Sequence, residues 1–405
     1  MQSRPTGRAM PRRADSADSL DAALRPGLAE REAAGLYRRR RTVQRLPGGR
    51  ARMAGRDYLD FCSNDYLGLA TDPRLAEAAS EALKDYGTGS GAAHLITGHC
   101  PVHEQLEQAL SEFTGRPRAL LFSTGYMANI GIAQALVGRG DSVIEDRLNH
   151  ASLLDAALAS RAKLIRYRHN DVEDLGRRLQ QAPGRRLVMS DSVFSMDGDI
   201  APLRELAGHC REQAAWLMVD EAHGLGVCGP EGRGAVAEAG LGMNEVPILM
   251  GTLGKALGGF GAFVAGSETL IEHLIQHART YVYTTATPPA MAAAVLTALA
   301  ISREEAWRRE KLAELIALFR SEAERAGLTL MPSETPIQPL QLGDAEHAVA
   351  RSRALEEAGY LVQAIRPPTV PAGTARLRVT LSAAHSSDDV LGLVRALARV
   401  SETLA

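Results

Sequence analysis

From Ala119 onward, short apolar runs alternate with amphipathic stretches, and this rhythm limits the possible folds more than any other feature of the chain. The runs are ALLFST (119–124), SVIED (142–146), KLIRYRH (163–169), RLVMSDSV (186–193), WLMVDEAH (216–223), PILMGTLGK (247–255) and GAFVAG (261–266). Most are rich in Val, Ile and Leu, as strands buried on both faces are. Helical spacing lies between several of them, as in 151–160 and 202–212. Strand–helix alternation predicts an α/β fold on a mostly parallel seven-stranded sheet. A short Gly-rich link joins the last two runs, so that pair is expected to be an antiparallel hairpin. After about residue 300 the pattern changes. A charged helix at about 302–326 leads into a smaller α+β domain, 301–405, with a helix at about 345–358 and strands at 360–365 and 376–381. Residues 1–60 read as an N-terminal extension and helical arm, which leaves 61–300 as the large domain.

Four of the runs end in polar residues: Ser123-Thr124, Asp191-Ser192, Asp220-Glu221 with His223, and Thr252 with Lys255. In parallel α/β sheets, ligands bind outside the carboxyl ends of the strands. These groups therefore belong to one crevice. Lys255 is unusual. Of 46 basic residues only four are lysines, namely Lys84, Lys163, Lys255 and Lys311. Guanidinium stays charged, whereas a desolvated amine can lose its proton and form an imine with a carbonyl. Lys84 and Lys311 lie in charged helical stretches and Lys163 precedes an apolar run. Lys255 has only small and apolar neighbours in GTLGKALGG (251–259), whose glycines would let the backbone approach a cofactor.

The run DEAH (220–223) also matches a helicase signature. That reading requires a phosphate loop of the form G-x-x-x-x-G-K-[ST]. Around Lys255 its first glycine falls on Leu249, and Ala256 follows the lysine, so it fails twice. A net charge of −2 gives no global case for nucleic-acid or membrane binding. The absence of a long apolar run predicts no transmembrane helix. Cys62, Cys100, Cys210 and Cys228 are scattered, which fits a reducing cytoplasm and neither a zinc knuckle nor a disulfide framework. Pro101 interrupts any single helical face through His94, His99 and His103, so these are expected to be structural and no metal is expected. Tyr281 and Tyr283 flank a strand-like segment. Residues 1–14, with Arg4, Arg8, Arg12 and Arg13, are expected to be a disordered extension, or the result of a start codon placed too early, with Met10 as the candidate.

A Schiff-base lysine, an Asp on a buried strand, a helix-start phosphate turn and histidines together suit pyridoxal phosphate. The stretches FCSNDYLGLA (61–70), GSGAAHLITGHCPVHEQLE (89–107), DRLNHASLLDA (146–156), DSVFSMDGDIAPL (191–203), VDEAHGLGVCGPEGRG (219–234), TLGKALGG (252–259), YTTATPP (283–289) and AIRPPTVPAGTARLRVTLSAAH (364–385) carry a resemblance. The chain resembles the α-oxoamine synthase family of fold-type I pyridoxal-phosphate enzymes, which share the aspartate aminotransferase-like fold. The likeness runs from about residue 20 to the end.

The resemblance implies roles residue by residue. Lys255 would bind the cofactor aldehyde and move the substrate proton, Asp220 would pair with the pyridine nitrogen, and His150 would stack on the ring. His223 and Ser195 would hydrogen-bond near the ring oxygen. Gly125, Tyr126 and Thr252 would hold the phosphate, with Thr285 supplied by a partner subunit of a homodimer. Arg378 would bind the amino-acid carboxylate near Asn64, with Arg366 and Thr369 on a substrate-facing turn. Arg38 in RRRR (38–41) is the expected match to an arginine that reads a distal carboxylate, or else part of a solvated basic face. Within the family the likeness is greatest to members that condense L-alanine with pimeloyl-CoA or pimeloyl-acyl-carrier protein. Branches using glycine or serine with other acyl-CoAs, and a catalytically silent cofactor-binding subunit, are the alternatives.

Overall fold

The structure, a computed structural model, describes residues 19–34 and 36–404. The basic stretch 1–14 lies outside the described residues. The described chain forms two compact units, one ending at Val43 and one beginning at Gln44.

The first unit contains the helix Leu20–Ala33, which Ser19 caps by accepting from the Ala22 amide. Arg38 lies beyond that helix, exposed and in irregular backbone, so the basic run is not a helix face. Arg39 pairs with Glu32 at 2.7 Å, an exposed contact of little energetic weight.

The second unit opens with an antiparallel meander, β1 (Gln44–Leu46), β2 (Arg50–Met53) and β3 (Arg56–Asp60). The central sheet contains β4 (Arg118–Phe122), β5 (Ser142–Asp146), β6 (Lys163–Tyr167), β7 (Arg186–Asp191), β8 (Trp216–Asp220), β9 (Ile248–Thr252) and β10 (Ala262–Gly266). Its order is β4-β10-β9-β8-β7-β5-β6. Six strands run one way, and β10 is antiparallel to both neighbours. This is the α/β, mostly parallel seven-stranded sheet expected from the apolar runs, hairpin included. Separate apolar clusters cover its faces. One contains Val143, Met189, Met218 and Met250, and the other Ile144, Val188, Val219 and Leu249. The alternation along each strand is the two-residue period of a sheet buried on both sides.

Beyond the sheet, the expected helix at 302–326 is two helices, Pro289–Glu304 and Trp307–Arg325. Glu305 leaves helical geometry between them and joins Arg74 and Arg308 in ion pairs at 2.7 Å each. Then follow β11 (Ile337–Gly343), the helix Ala345–Glu357, β12 (Tyr360–Leu361), β13 (Gln363–Ile365), β14 (Ala375–Thr380) and the helix Ser387–Thr403. The single strand expected at 360–365 is divided between two sheets. β12 pairs parallel with β3, whereas β13 pairs antiparallel with β14. The segment holding Tyr281 is a helical turn, Arg279–Val282, instead of a strand. No described helix is long and apolar enough to cross a membrane.

Candidate active site

The sheet register sets the site. Asp220 is the last residue of β8, and Asp191, at the end of β7, lies directly opposite it. Lys255 comes three residues after β9, the strand on the other side of β8. Three adjacent strands thus bring Asp191, Asp220 and Lys255 to one edge of the sheet.

Asp220 is 3% exposed, and its carboxylate is held from two sides. Oδ1 accepts from the Ala222 amide at 2.9 Å, and Oδ2 accepts from Asn129 Nδ2 at 2.9 Å. The same Asn129 nitrogen donates to Ser152 Oγ at 2.9 Å, and Ser152 Oγ lies 2.8 Å from His150 Nδ1. His150 is also the N-cap of Ala151–Ser160, accepting from the Ser152 amide at 3.2 Å. Its own amide donates to Asp191 Oδ2 at 2.7 Å. Asp220 and His150 are therefore fixed relative to each other by residues from three elements, two helices and β7, and by the turn at Ala222. Burial, and then the Asp220 charge beside it, raise the Asp191 carboxyl well above the ordinary range. Burial likewise lowers the His150 imidazole.

A second network starts at the amine. Lys255 Nζ lies 2.9 Å from His223 Nε2, and His223 Nδ1 lies 2.6 Å from the Tyr66 hydroxyl. Tyr66 donates to Asn64 Oδ1 at 3.3 Å, and Arg378 Nη2 donates to the same oxygen at 3.1 Å. With Tyr66 donating to Asn64, its oxygen accepts from His223 Nδ1–H. That leaves the Nε2 lone pair to accept from Lys255. Burial, then the Lys255 and Arg378 charges, hold His223 well below the usual imidazole range, so this neutral tautomer persists. Arg378 itself is fixed by Ser195 O at 2.6 Å and Thr380 Oγ1 at 2.8 Å. Thr380 is two residues along β14 and so shares the face of Arg378. Burial lowers the Lys255 amine to about 8, against the raising pull of Asp220 and Asp191.

The helix Gly125–Leu136 begins beside these groups. Thr124 caps it, its Oγ1 accepting from the Met127 amide at 3.2 Å. The first-turn amides of Gly125 and Tyr126 have no intrahelical acceptor. A Cβ at Gly125 would stand 2.9 Å from Thr252 Cγ2, which places the helix start against the end of β9. The Tyr126 ring turns outward, and its hydroxyl donates to Asp155. A buried amine of lowered basicity, a doubly supported buried carboxylate and free helix-start amides match the donor set that pyridoxal phosphate requires.

Other expected residues stand differently. Thr285 forms an isolated bridge with Ala93, and Thr369 donates its amide to Arg366 O in a turn. Ser195 offers its carbonyl to Arg378. Arg38 belongs to the other unit. Glu221 supports the backbone, accepting from Ser192 Oγ and the Ala235 and Val236 amides. The glycines expected to admit a cofactor instead serve the protein. Gly258 has φ +64 with the Ala70 amide 2.4 Å from a would-be Cβ, and Gly259 faces Val295 Cγ2 at 2.3 Å. His94, His99 and His103 converge although Pro101 separates them along the chain, because His94–Gly98 is a π-helical turn that folds back on Pro101–Thr114. Tyr66, Asn129, Ser152 and Asp191 were not assigned roles from sequence. An Asn amid the apolar residues of GYMANIGIAQAL was the available signal, since a buried amide needs partners.

The family model for class I and II aminotransferases matches residues 56–397. The 8-amino-7-oxononanoate synthase of Alkalilimnicola ehrlichii is 58% identical over 387 residues, covering 95% of this chain and 99% of that one. A serine palmitoyltransferase of S. paucimobilis, solved with bound pyridoxal phosphate, superposes with a TM-score of 0.88 at 31% identity, covering 95% and 98%. The 8-amino-7-oxononanoate synthase of Francisella tularensis gives 0.76 at 32% identity, covering 85% and 98%. The buried amine, the supported carboxylate and these likenesses agree, and the chain belongs to the class I and II aminotransferase family.

Proposed function

We propose that this chain is a pyridoxal-phosphate-dependent acyltransferase that condenses L-alanine with a pimeloyl thioester. The products are 8-amino-7-oxononanoate, CO2 and the free thiol of coenzyme A or an acyl-carrier protein. The observation that carries the reading is the Lys255–His223–Tyr66–Asn64–Arg378 network, which ties a partly neutral amine to a buried guanidinium. The names of the relatives at 56–58% identity supply the substrates.

Pyridoxal phosphate, when bound, supplies an aldehyde for amines and a sink for the electrons of the substrate carbanion. Lys255 would carry it. Asp220 would face its ring nitrogen, His150 its ring, and His223 and Ser195 its ring oxygen. The amides of Gly125 and Tyr126, with Thr252, would hold the phosphate, and Thr285 would come from the partner of a homodimer. Arg378 would bind the carboxylate of L-alanine and so fix the α-carbon. Lys255 Nζ takes the α-proton there, because a pKa of about 8 leaves a useful neutral fraction near neutral pH. His223 accepts from Nζ and aims it. After acyl transfer and loss of CO2, the protonated amine returns a proton to the same carbon. Arg366 and Thr369 are assigned to the acyl substrate.

The test is turnover of pimeloyl-CoA, and of pimeloyl-acyl-carrier protein, with L-alanine, glycine or L-serine. Product of the expected mass with L-alanine supports the reading. Product only with glycine or L-serine contradicts it.

A further inference from the structure

Away from the Lys255 network, three imidazoles come together from two elements. His94 starts the π-helical turn, and His103 lies in the first turn of Pro101–Thr114. One ring nitrogen from each of His94, His99 and His103 lies within 4.8 Å of the others. His94 Nδ1 and His99 Nδ1 are 2.9 Å apart, with one lone pair necessarily directed at the other nitrogen. His103 Nε2 sits 2.8 Å from the carbonyl of Thr287, which makes it the donor and leaves Nδ1 as the lone-pair nitrogen. An outer N–H on a backbone carbonyl is how metal-bound histidines are usually oriented, and the lone pair of His103 Nδ1 here accepts from the Cys100 amide at 3.2 Å. Tyr281 stacks on His94 at 5.1 Å and 12°, which fixes that ring. Among the described residues none of the three rings hydrogen-bonds to a carboxylate.

We propose that His94, His99 and His103 form a binding site for a borderline divalent transition-metal ion, with Zn2+ as the test cation. Imidazole suits Zn2+, and bond lengths of about 2.0–2.1 Å in a tetrahedron set ligand nitrogens about 3.3 Å apart. The facing Nδ1 atoms need to open by only about 0.4 Å to reach that spacing. The metal would also replace the 3.2 Å contact between His103 Nδ1 and the Cys100 amide. The Cys100 thiol, 3.3 Å from that nitrogen, extends the cluster. The site joins 92–103 to the strap at Thr285–Thr287, where Ala286 already donates to Ala92 O and Ser90 to Thr287 O.

The holoenzyme, stripped of loose metal by chelator and gel filtration, is titrated with Zn2+ by calorimetry and with Co2+ by absorbance. One Zn2+ per chain and intense four- or five-coordinate Co2+ bands are expected. His99→Asn changes an exposed residue, and His94→Phe keeps a ring against Tyr281. Each should weaken Zn2+ by at least ~10–100-fold, the scale already seen when an outer-shell partner is lost, with cofactor absorbance unchanged. The cofactor can itself bind cations, so the variants decide. No binding, a weakly absorbing six-coordinate Co2+ spectrum, or full Zn2+ affinity in either variant overturns the proposal.

Discussion

Lys255 combines two demands that usually conflict. Its amine must be neutral often enough to react, and it must not be lost to a carboxylate. Burial meets the first by lowering it to about 8, and the placement of Asp220 on Asn129 and Ala222 meets the second. Binding of cofactor to the apoprotein should therefore quicken as pH rises toward about 8 and level off above it. Stopped-flow absorbance from pH 6 to 9 measures this, and a flat profile would count against it. Asn129→Ala leaves one oxygen of a buried carboxylate without its donor, which costs about 1–3 kcal/mol. Cofactor retention should fall by roughly 10–100-fold, read by fluorescence titration, and the fold should persist by circular dichroism. That Lys255, Asp220, His150 and His223 meet at the strand ends was legible in the sequence because each sits at or just past an apolar run. Tyr66, Asn129 and Asp191 were not assigned, since their roles depend on which side chains the tertiary fold brings alongside.

At the scale of elements, the central strands were readable because burial on both faces writes itself as continuous Val, Ile and Leu. Elements governed by long-range pairing were not. The run 360–365 is uniformly strand-like, yet its halves join β3 and β14, partners far away in sequence. The π turn at His94–Gly98 has no periodic signature, so the meeting of three histidines could not be read from spacing. Another cluster gives a pH prediction. His169 bridges Asp146, at the end of β5, to Asp199, with ring nitrogens 3.0 and 2.8 Å from the two carboxylates. Burial opposes its charge, but hydrogen bonds to Asp146 and Asp199 win and push it up to about 10. The unfolded imidazole titrates near ~6.5. A raised folded pKa contributes stability that is complete below the unfolded value and disappears as pH rises through the folded one. The stability lost in His169→Gln should thus be largest below about pH 6 and shrink toward pH 10. Urea melts at several pH values check this, and a loss that grows with pH would refute it.

For the molecule as a whole, exposed Leu95, Ile96 and Tyr283 lie on the segments joined by the Ala93–Thr285 bridge. Covering them, and lending Thr285 to a second site, predicts a homodimer. Light scattering should give twice the 43.3 kDa chain mass, whereas a stable monomer with full activity would contradict the shared site. The fold class followed from the strand–helix rhythm, while the second unit's extra sheets depended on contacts between distant residues. The central claim is that one lysine of the four, Lys255, carries the cofactor. Borohydride reduction of the yellow holoenzyme, followed by peptide mass mapping, tests it directly. The account predicts one pyridoxyl adduct, on the peptide containing Lys255. An adduct on Lys84, Lys163 or Lys311, or none at all, would contradict it.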